Sequence, residues 1–537
     1  MVKKTLIVGS GVAATALAND LLSKDAKASI HILEAGGRVK TKDFGLWEHF
    51  LITGQLPYDG YKDLQYPQND LSGENMSVGG TDMPLAGARV MTYGGSTIHW
   101  GGWSFRLKQE DFLLFSHTKD GADWPFDYAK LEPYYCKAEH FIGVSGDSTD
   151  APLPRSRPLP FPAFPLTLQD KPLADALDAL NIGYGGVPIA RHGVTDTTSK
   201  QAPCQTTGTC KYCPFGARFA ATNVLDDMRA WNDFPNLRVE TEVIAESIVM
   251  DARGRARGVM VRRGKDREII EADCIVIAAG TIESAKLLLR SQSPSWPNGL
   301  GNEYDQVGRY LITHPYFVFK GDLKRNPLRL QKEMDFPTLC TRHFDSTSEQ
   351  AKGKFLLVNP PDTGDPRILA MMKEGKTRAE IDAAIEGKQT LAVHGMVEVF
   401  GRYKNRLSIG PGLQNRIGLE QTIIDFTKDD GFEGRIAEIQ AHVAPIFAAM
   451  GATLSGKPSV SWRADHAAST CRMGTDPTSS VLDSDLRVHG VENVYVCSNA
   501  AFPNLGAVNP TLTLTALAFK LGDHLLPSQR GSGDEYS

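Results

Sequence analysis

Residues 4–37, which open Lys-Thr-Leu-Ile-Val-Gly-Ser-Gly and close Leu33-Glu34-Ala35-Gly36-Gly37, constrain the fold more than any other stretch. Thr5 to Val8 is a short apolar run suited to a buried parallel strand. Gly9, Gly11 and Ala14 fall at the positions of a G-x-G-x-x-(G/A) turn. From Val12 to Leu22, Ala13, Ala16, Leu17 and Leu21 recur at helical spacing. Ser29 to Leu33 predicts a second strand, and an acid, Glu34, follows it. Strand, glycine turn, helix, strand and acid in that order make a dinucleotide site. Gly9 permits the tight turn, Gly11 lets backbone approach a pyrophosphate, and Ala14 allows helix to pack on strand. The helix N-terminus offers free N–H groups to the phosphates, and Glu34 would accept hydrogen bonds from a ribose.

At 537 residues the chain exceeds one ordinary core, so two domains are expected. A charged fraction of 23% and a net charge of −5 describe an ordinary soluble enzyme. No Lys/Arg run points to nucleic acid, and no 18 consecutive apolar residues point to a membrane span. Lys3 and Lys4 before an apolar run, with Ala-Leu-Ala at 16–18, imitate a signal peptide. Cleavage there would destroy the phosphate turn, so this start reads as structure. The expected location is the cytoplasm, or the periplasm if a partner subunit carries the chain across. Eight cysteines in so long a chain are not a disulfide scaffold.

The expected class is α/β, α+β overall: a Rossmann-like cofactor domain with a second, antiparallel-sheet substrate domain. Residues 1–310 and 455–527 are assigned to the first, with loop excursions at 44–88 and 145–215. Residues 311–454 are assigned to the second, on strand-like runs at Thr390–Phe400 and Leu419–Phe426 and helix patterns near 377–387 and 432–450. Asp127 is a plausible cap for a helix after Trp124-Pro-Phe, Cys274–Ala279 reads as a buried strand, and 528–537 as a disordered tail. Cys204, Cys210 and Cys213 are spaced C-x5-C-x2-C-P. Thiolates this close can converge on one iron–sulfur centre, bind zinc with a histidine such as His192, or pack as inert thiols.

Several separated blocks resemble the glucose–methanol–choline family of flavin oxidoreductases. They are the N-terminal fingerprint, Gly94-Gly95-Ser96, Trp124-Pro-Phe, Ile277-Ala-Ala-Gly-Thr-Ile-Glu-Ser284 and Val307-Gly-Arg-Tyr-Leu-Ile-Thr-His-Pro315. They continue with His466-Ala-Ala-Ser-Thr-Cys-Arg-Met-Gly474, Leu486-Arg-Val-His-Gly490 and Val508-Asn-Pro-Thr-Leu-Thr513. The resemblance implies bound FAD and an alcohol substrate, with Gly9, Gly11, Ala14, Glu34, Gly95, Val243, Ala279, Gly280 and Asn499 at the cofactor. It makes His466 the base that takes the hydroxyl proton as hydride leaves for flavin N5, and Asn509 the partner that holds the substrate oxygen. The Gly-Gly-x-x-x-His-Trp block resembles pyranose oxidases that bond this histidine covalently to flavin. Gly101-Gly102 resembles the dehydrogenases, and a non-covalent packing role for His99 beside the isoalloxazine is favoured. His314 is expected to be structural, and Arg472 to contact substrate or pair with a carboxylate.

The Asn-Pro-Thr-Leu-Thr ending implies the sugar branch: oxidation of a pyranose or glucoside ring hydroxyl to a ketone, C3 favoured. The cysteine run resembles the loop that holds a three-iron (3Fe–4S) cluster in cytochrome-linked sugar dehydrogenases, one residue shorter than their usual C-x5-C-x3-C-P. A dehydrogenase of that kind would pass electrons to a cytochrome c and associate with a small export subunit. The rival expectations are a pyranose or C-glycoside oxidase that forms hydrogen peroxide, and a flavin–cluster relay subunit of a larger complex.

Overall fold

A computed structural model of the chain describes residues 3–40, 43–53, 75–85, 88–147, 153–168, 170–193, 202–205, 212–230, 234–323, 336–345, 355–358, 366–385, 389–414 and 417–527. Cys210 and the tail at 528–537 lie outside these residues.

The fingerprint folds as its pattern requires. Lys4–Val8 is a strand, Val12–Lys24 a helix and Ser29–Leu33 a strand. They nucleate a five-stranded parallel sheet ordered Val494–Val496, Cys274–Ile277, Lys4–Val8, Ser29–Leu33, Leu237–Glu240. Strands buried on both faces read as continuous apolar runs, and Leu6, Ile7, Ile275 and Val276 are fully buried. The register fixes the site: Val8 pairs with Leu33 and with Ile277, and Ile277 pairs with Val496. Gly9, Glu34, Ala278 and Cys497 therefore follow their strands at one carboxyl edge, where open α/β sheets bind ligands.

The closing helix Thr511–Leu525 packs against Val12–Lys24 and Tyr128–Ile142. A Cβ on Gly522 would come within 2.1 Å of the Asp20 carboxylate, so glycine sets that approach. Asp127 caps Tyr128–Ile142 by accepting from the Lys130 N–H at 3.0 Å. Four strands follow from 237: Leu237–Glu240 joins the parallel sheet, whereas Ile244–Met250, Ala256–Arg263 and Asp266–Glu271 make a separate antiparallel sheet.

A second, seven-stranded sheet is antiparallel. Its strand Pro315–Leu323 pairs with Gln389–Val397 on one side, and with Ala452–Leu454 and Ser459–Trp462 on the other. Helix Phe432–Ala449 carries Phe432, Ile436, Ile439, Val443, Ile446 and Phe447 at helical spacing. They close over Phe317, Phe319, Phe355, Leu357, Val393 and Val397. At about 2–3 kcal/mol for each fully buried large apolar side chain, this face alone holds the helix to the sheet. The sheet also takes Gly185–Gly186 from within 145–215, where helix Lys171–Ala179 packs on the same core. Helix Phe44–Thr53 and strand Asn75–Ser77 lie within 44–88.

Candidate active site

A cavity opens at the carboxyl edge of the parallel sheet. Gly9, Gly11, Glu34, Gly95, Val243, Ala279, Gly280 and Asn499 line it; Ala14, fully buried, packs behind it. Gly9 has φ +101°, and a Cβ there would meet the Ala278 carbonyl oxygen at 2.5 Å. At Gly11 a Cβ would meet nothing within 4 Å, because this residue faces the open cavity. Gly95 packs onto it, a Cβ there lying 3.2 Å from the Gly11 Cα.

Ser10 ties these parts together. Its hydroxyl donates to Glu34 at 2.6 Å and accepts from the Gly94 N–H at 2.9 Å. Glu34 also accepts from the Ser10 and Gly36 N–H groups, and burial raises its carboxyl above the ordinary range. The Ala35 N–H is also turned to this carboxylate, so backbone and Ser10 together fix its orientation at the cavity wall. Farther along the wall Glu283 is buried with Lys286, Arg89 and Arg290. Burial alone would raise its carboxyl, but the cations hold it at about 2. Asn499 Oδ1 is buried and takes no hydrogen bond from the described residues. A glycine turn open to the cavity, a fixed acid in its wall and an orphaned amide oxygen fit a dinucleotide.

His466 and Asn509 come together beside this cavity: Asp465 and Ala467, the sequence neighbours of His466, line it, as do Pro510 and Thr511 after Asn509. Asn509 Nδ2 is 3.2 Å from His466 Nε2, and the Tyr316 hydroxyl is 3.3 Å from the same nitrogen. His466 Nδ1 lies 3.1 Å from His314 Nδ1. The loop bearing His466 is stapled between the sheets. Ile312 bridges to Ala468, the Thr281 hydroxyl donates to the Ala467 carbonyl, and the Ser469 hydroxyl donates to the Phe502 carbonyl. Burial, then His314 and Arg463, hold His466 well below an ordinary imidazole. Burial likewise lifts the Asp465 carboxyl to about 6 against the opposing pull of Arg463.

Other expected residues are placed differently. His99 ends a short 3-10 turn, half-buried, and its neighbour Trp100 lines the cavity. Among the described residues Arg472 meets neither a carboxylate nor the cavity: it donates to the Ser479 carbonyl and stacks on Tyr310, 3.3 Å from the ring centroid. Cys204 and Cys213 are both half-buried free thiols, and Arg191 Nη1 lies 3.6 Å from Cys204 Sγ. Among the described residues no three His, Cys, Asp or Glu side chains gather to hold a metal ion.

Sequence reasoning set His314 down as structural and passed over Tyr316. Their block was visible as Thr-His-Pro-Tyr, but the 152-residue separation from His466 hides the pairing that one bridge between 312 and 468 creates.

Comparison with known proteins agrees with this architecture. Two GMC oxidoreductase family models match residues 179–316 and 417–518. The fructose dehydrogenase large subunit of Gluconobacter japonicus is 25% identical over 536 residues, covering 97% of each chain. A C-glycoside 3-oxidase of Microbacterium trichothecenolyticum is 25% identical over 313 residues, 56% of each chain. In fold, the chain is similar to pyridoxine 4-oxidase from Mesorbium loti, with TM-score 0.63, 18% identity, and 97% of this chain and 99% of that one covered. The chain is similar to GMC oxidoreductases over these two segments, and it is an FAD-dependent oxidoreductase acting on CH–OH groups.

Proposed function

We propose that the chain oxidises a secondary ring hydroxyl of a pyranose or glucoside to a keto-sugar, with C3 the favoured position. The observation that carries the reading is the convergence of His466 Nε2 and Asn509 Nδ2, 3.2 Å apart, beside the dinucleotide cavity. FAD bound in that cavity supplies the hydride acceptor. His466 takes the hydroxyl proton at Nε2, as a general base. Asn509 donates to the substrate oxygen and so turns the carbinol carbon towards the cavity. The N-terminus of helix Thr511–Leu525, whose Pro510 and Thr511 line the wall, presents the positive end of its dipole to negative charge there. Similarity to a fructose dehydrogenase large subunit and a C-glycoside 3-oxidase supports the sugar assignment.

On this reading the electrons leave to an external acceptor of the cytochrome c type, and the cysteine run 204–214 supports an iron–sulfur centre, 3Fe–4S in type. A small partner subunit that carries the chain to the periplasm is part of the same proposal, supported by the relative's being a large subunit. Among the described residues no helix is long and apolar enough to cross a membrane. A peroxide-forming oxidase is the second reading, favoured by the C-glycoside 3-oxidase similarity.

The test is a product NMR spectrum from methyl glucoside with parent enzyme and His466→Ala. We expect a 3-keto product, and at least ~10²-fold slower turnover in the variant with FAD retained. Normal turnover by His466→Ala would remove the proposed base, and a product oxidised to the aldehyde at C6 would remove the ring-ketone assignment.

A further inference from the structure

We infer that His314 is a positioning residue which, backed by the Gly506 carbonyl, fixes the proton of His466 on Nδ1 and leaves Nε2 bare for the substrate. The inference rests on the reading of His466 as base and names what makes it one.

The argument starts from an atom that cannot change its role. His314 Nε2 is 2.8 Å from the Gly506 carbonyl oxygen, which can only accept. His314 Nε2 must therefore carry a hydrogen. His314 is 1% exposed, and burial presses it down to about 4, so the ring is neutral near pH 7 and has that one N–H alone. Its Nδ1 is then a bare lone pair, and it faces His466 Nδ1 at 3.1 Å. Two bare nitrogens at that distance repel, so His466 Nδ1 carries the hydrogen and donates it. A neutral His466 has one N–H, so Nε2 is left as an acceptor. The groups around Nε2 agree, because Asn509 Nδ2 and the Tyr316 hydroxyl, at 3.2 and 3.3 Å, are both able to donate. Every hydrogen bond in the row thus points the same way, from the donors at Nε2 back to the Gly506 carbonyl.

The backbone terminus of the row is itself held in place. Gly506 has φ +55°, and a Cβ there would come within 2.9 Å of Asp111 Oδ2 and 3.0 Å of Leu107, so only glycine fits. Asp111 is fully buried and accepts from the Lys108 N–H at 2.7 Å. Of the charged groups around the pair, Asp111 and Asp345 act on His314, and Arg342 is paired with Asp345. Arg463, paired with Asp465, acts on His466 from its own turn. No carboxylate hydrogen-bonds to either ring among the described residues, so a neutral imidazole does here what a buried carboxylate does in other base–orienter pairs.

The experiment reads the tautomer directly. Long-range ¹⁵N–¹H correlation spectra of [¹⁵N]histidine-labelled, FAD-loaded enzyme, with His466 assigned by its loss in His466→Gln, should show hydrogen on Nδ1 at pH 7. His314→Leu removes the acceptor and should release the proton to Nε2, slow flavin bleaching by substrate ~10²-fold, and change KM by less than about threefold. His314→Asn, whose side-chain oxygen can replace Nδ1 as acceptor, should keep the Nδ1–H form and restore most of the rate. The inference is overturned if resting His466 carries its hydrogen on Nε2, if His314→Leu bleaches within about threefold of the parent, or if both variants lose rate equally with His466 still protonated on Nδ1. Failure of the base assignment would look different: His466→Gln would turn over normally whatever the tautomer.

Discussion

Protonating His466 fills the atom that the proposed reaction uses, so the acidity of this one ring sets the acid side of the pH profile. Its neutral form is the active one, and the structure holds it below the ordinary imidazole value of 6.5. We therefore expect kcat/KM to stay level as pH falls through 6.5 and to decline only in more acid solution. A decline centred at 6.5 or above would contradict the burial of the ring. His314 carries a matching consequence for stability. Its folded value is about 4 against 6.5 unfolded, so between these the unfolded chain binds the extra proton. The stability is complete above pH 6.5 and is lost as pH falls towards 4, by roughly 3 kcal/mol at ~1.4 kcal/mol per unit. His314→Asn should flatten that part of a thermal-denaturation pH series, and an unchanged slope would place the titration elsewhere.

At the level of elements, the two fingerprint glycines separate folding from binding. A side chain at Gly9 would be driven into the Ala278 carbonyl from a left-handed φ, so Gly9→Ala should destabilise the apoprotein by at least ~2 kcal/mol. Gly11 has open space before it. Gly11→Ala should leave apoprotein stability within about 0.5 kcal/mol while weakening FAD binding, as measured by denaturation with and without added FAD. Equal losses from both substitutions would mean that Gly11 is not at the cofactor. This unit was readable residue by residue, because strand Ser29–Leu33 and helix Val12–Lys24 are dictated by neighbours a few positions away. Helix Phe432–Ala449 was readable for the same reason. The strand pairings that bring Ser459–Trp462 and Gly185–Gly186 to the antiparallel sheet were not, since short runs carry no signal of a distant partner. The candidate site divides likewise: His466, Asn509 and His314 stood in motifs, whereas the approach of His314 and Tyr316 to His466 comes from a crossing that appears only in three dimensions.

At the scale of the whole molecule, the cavity is lined from both ends of the chain, by Val8 and Glu34 at one and Cys497 and Thr511 at the other. FAD bound across them should stabilise the fold by about 2.7 kcal/mol at a hundredfold excess over Kd, seen as a concentration-dependent Tm. The route of electrons out of the molecule is tested by metal analysis: anaerobically prepared protein should hold about three irons, and Cys210→Ser should remove them. Iron-free protein that rapidly forms peroxide would favour the oxidase reading. The outermost parallel strand has a consequence for synthesis. Val494–Val496 completes the sheet beside Cys274–Ile277, which is itself joined to Lys4–Val8 across 269 positions. At about 5–20 residues per second, the first strand waits roughly half a minute to two minutes on the ribosome before the last can dock. From the synthesis of Ile277 onward, roughly 10 to 45 s of that interval, the edge of Cys274–Ile277 lies open to any strand that reaches it, so a ribosome stalled before residue 494 would display a sticky edge for chaperones to shield.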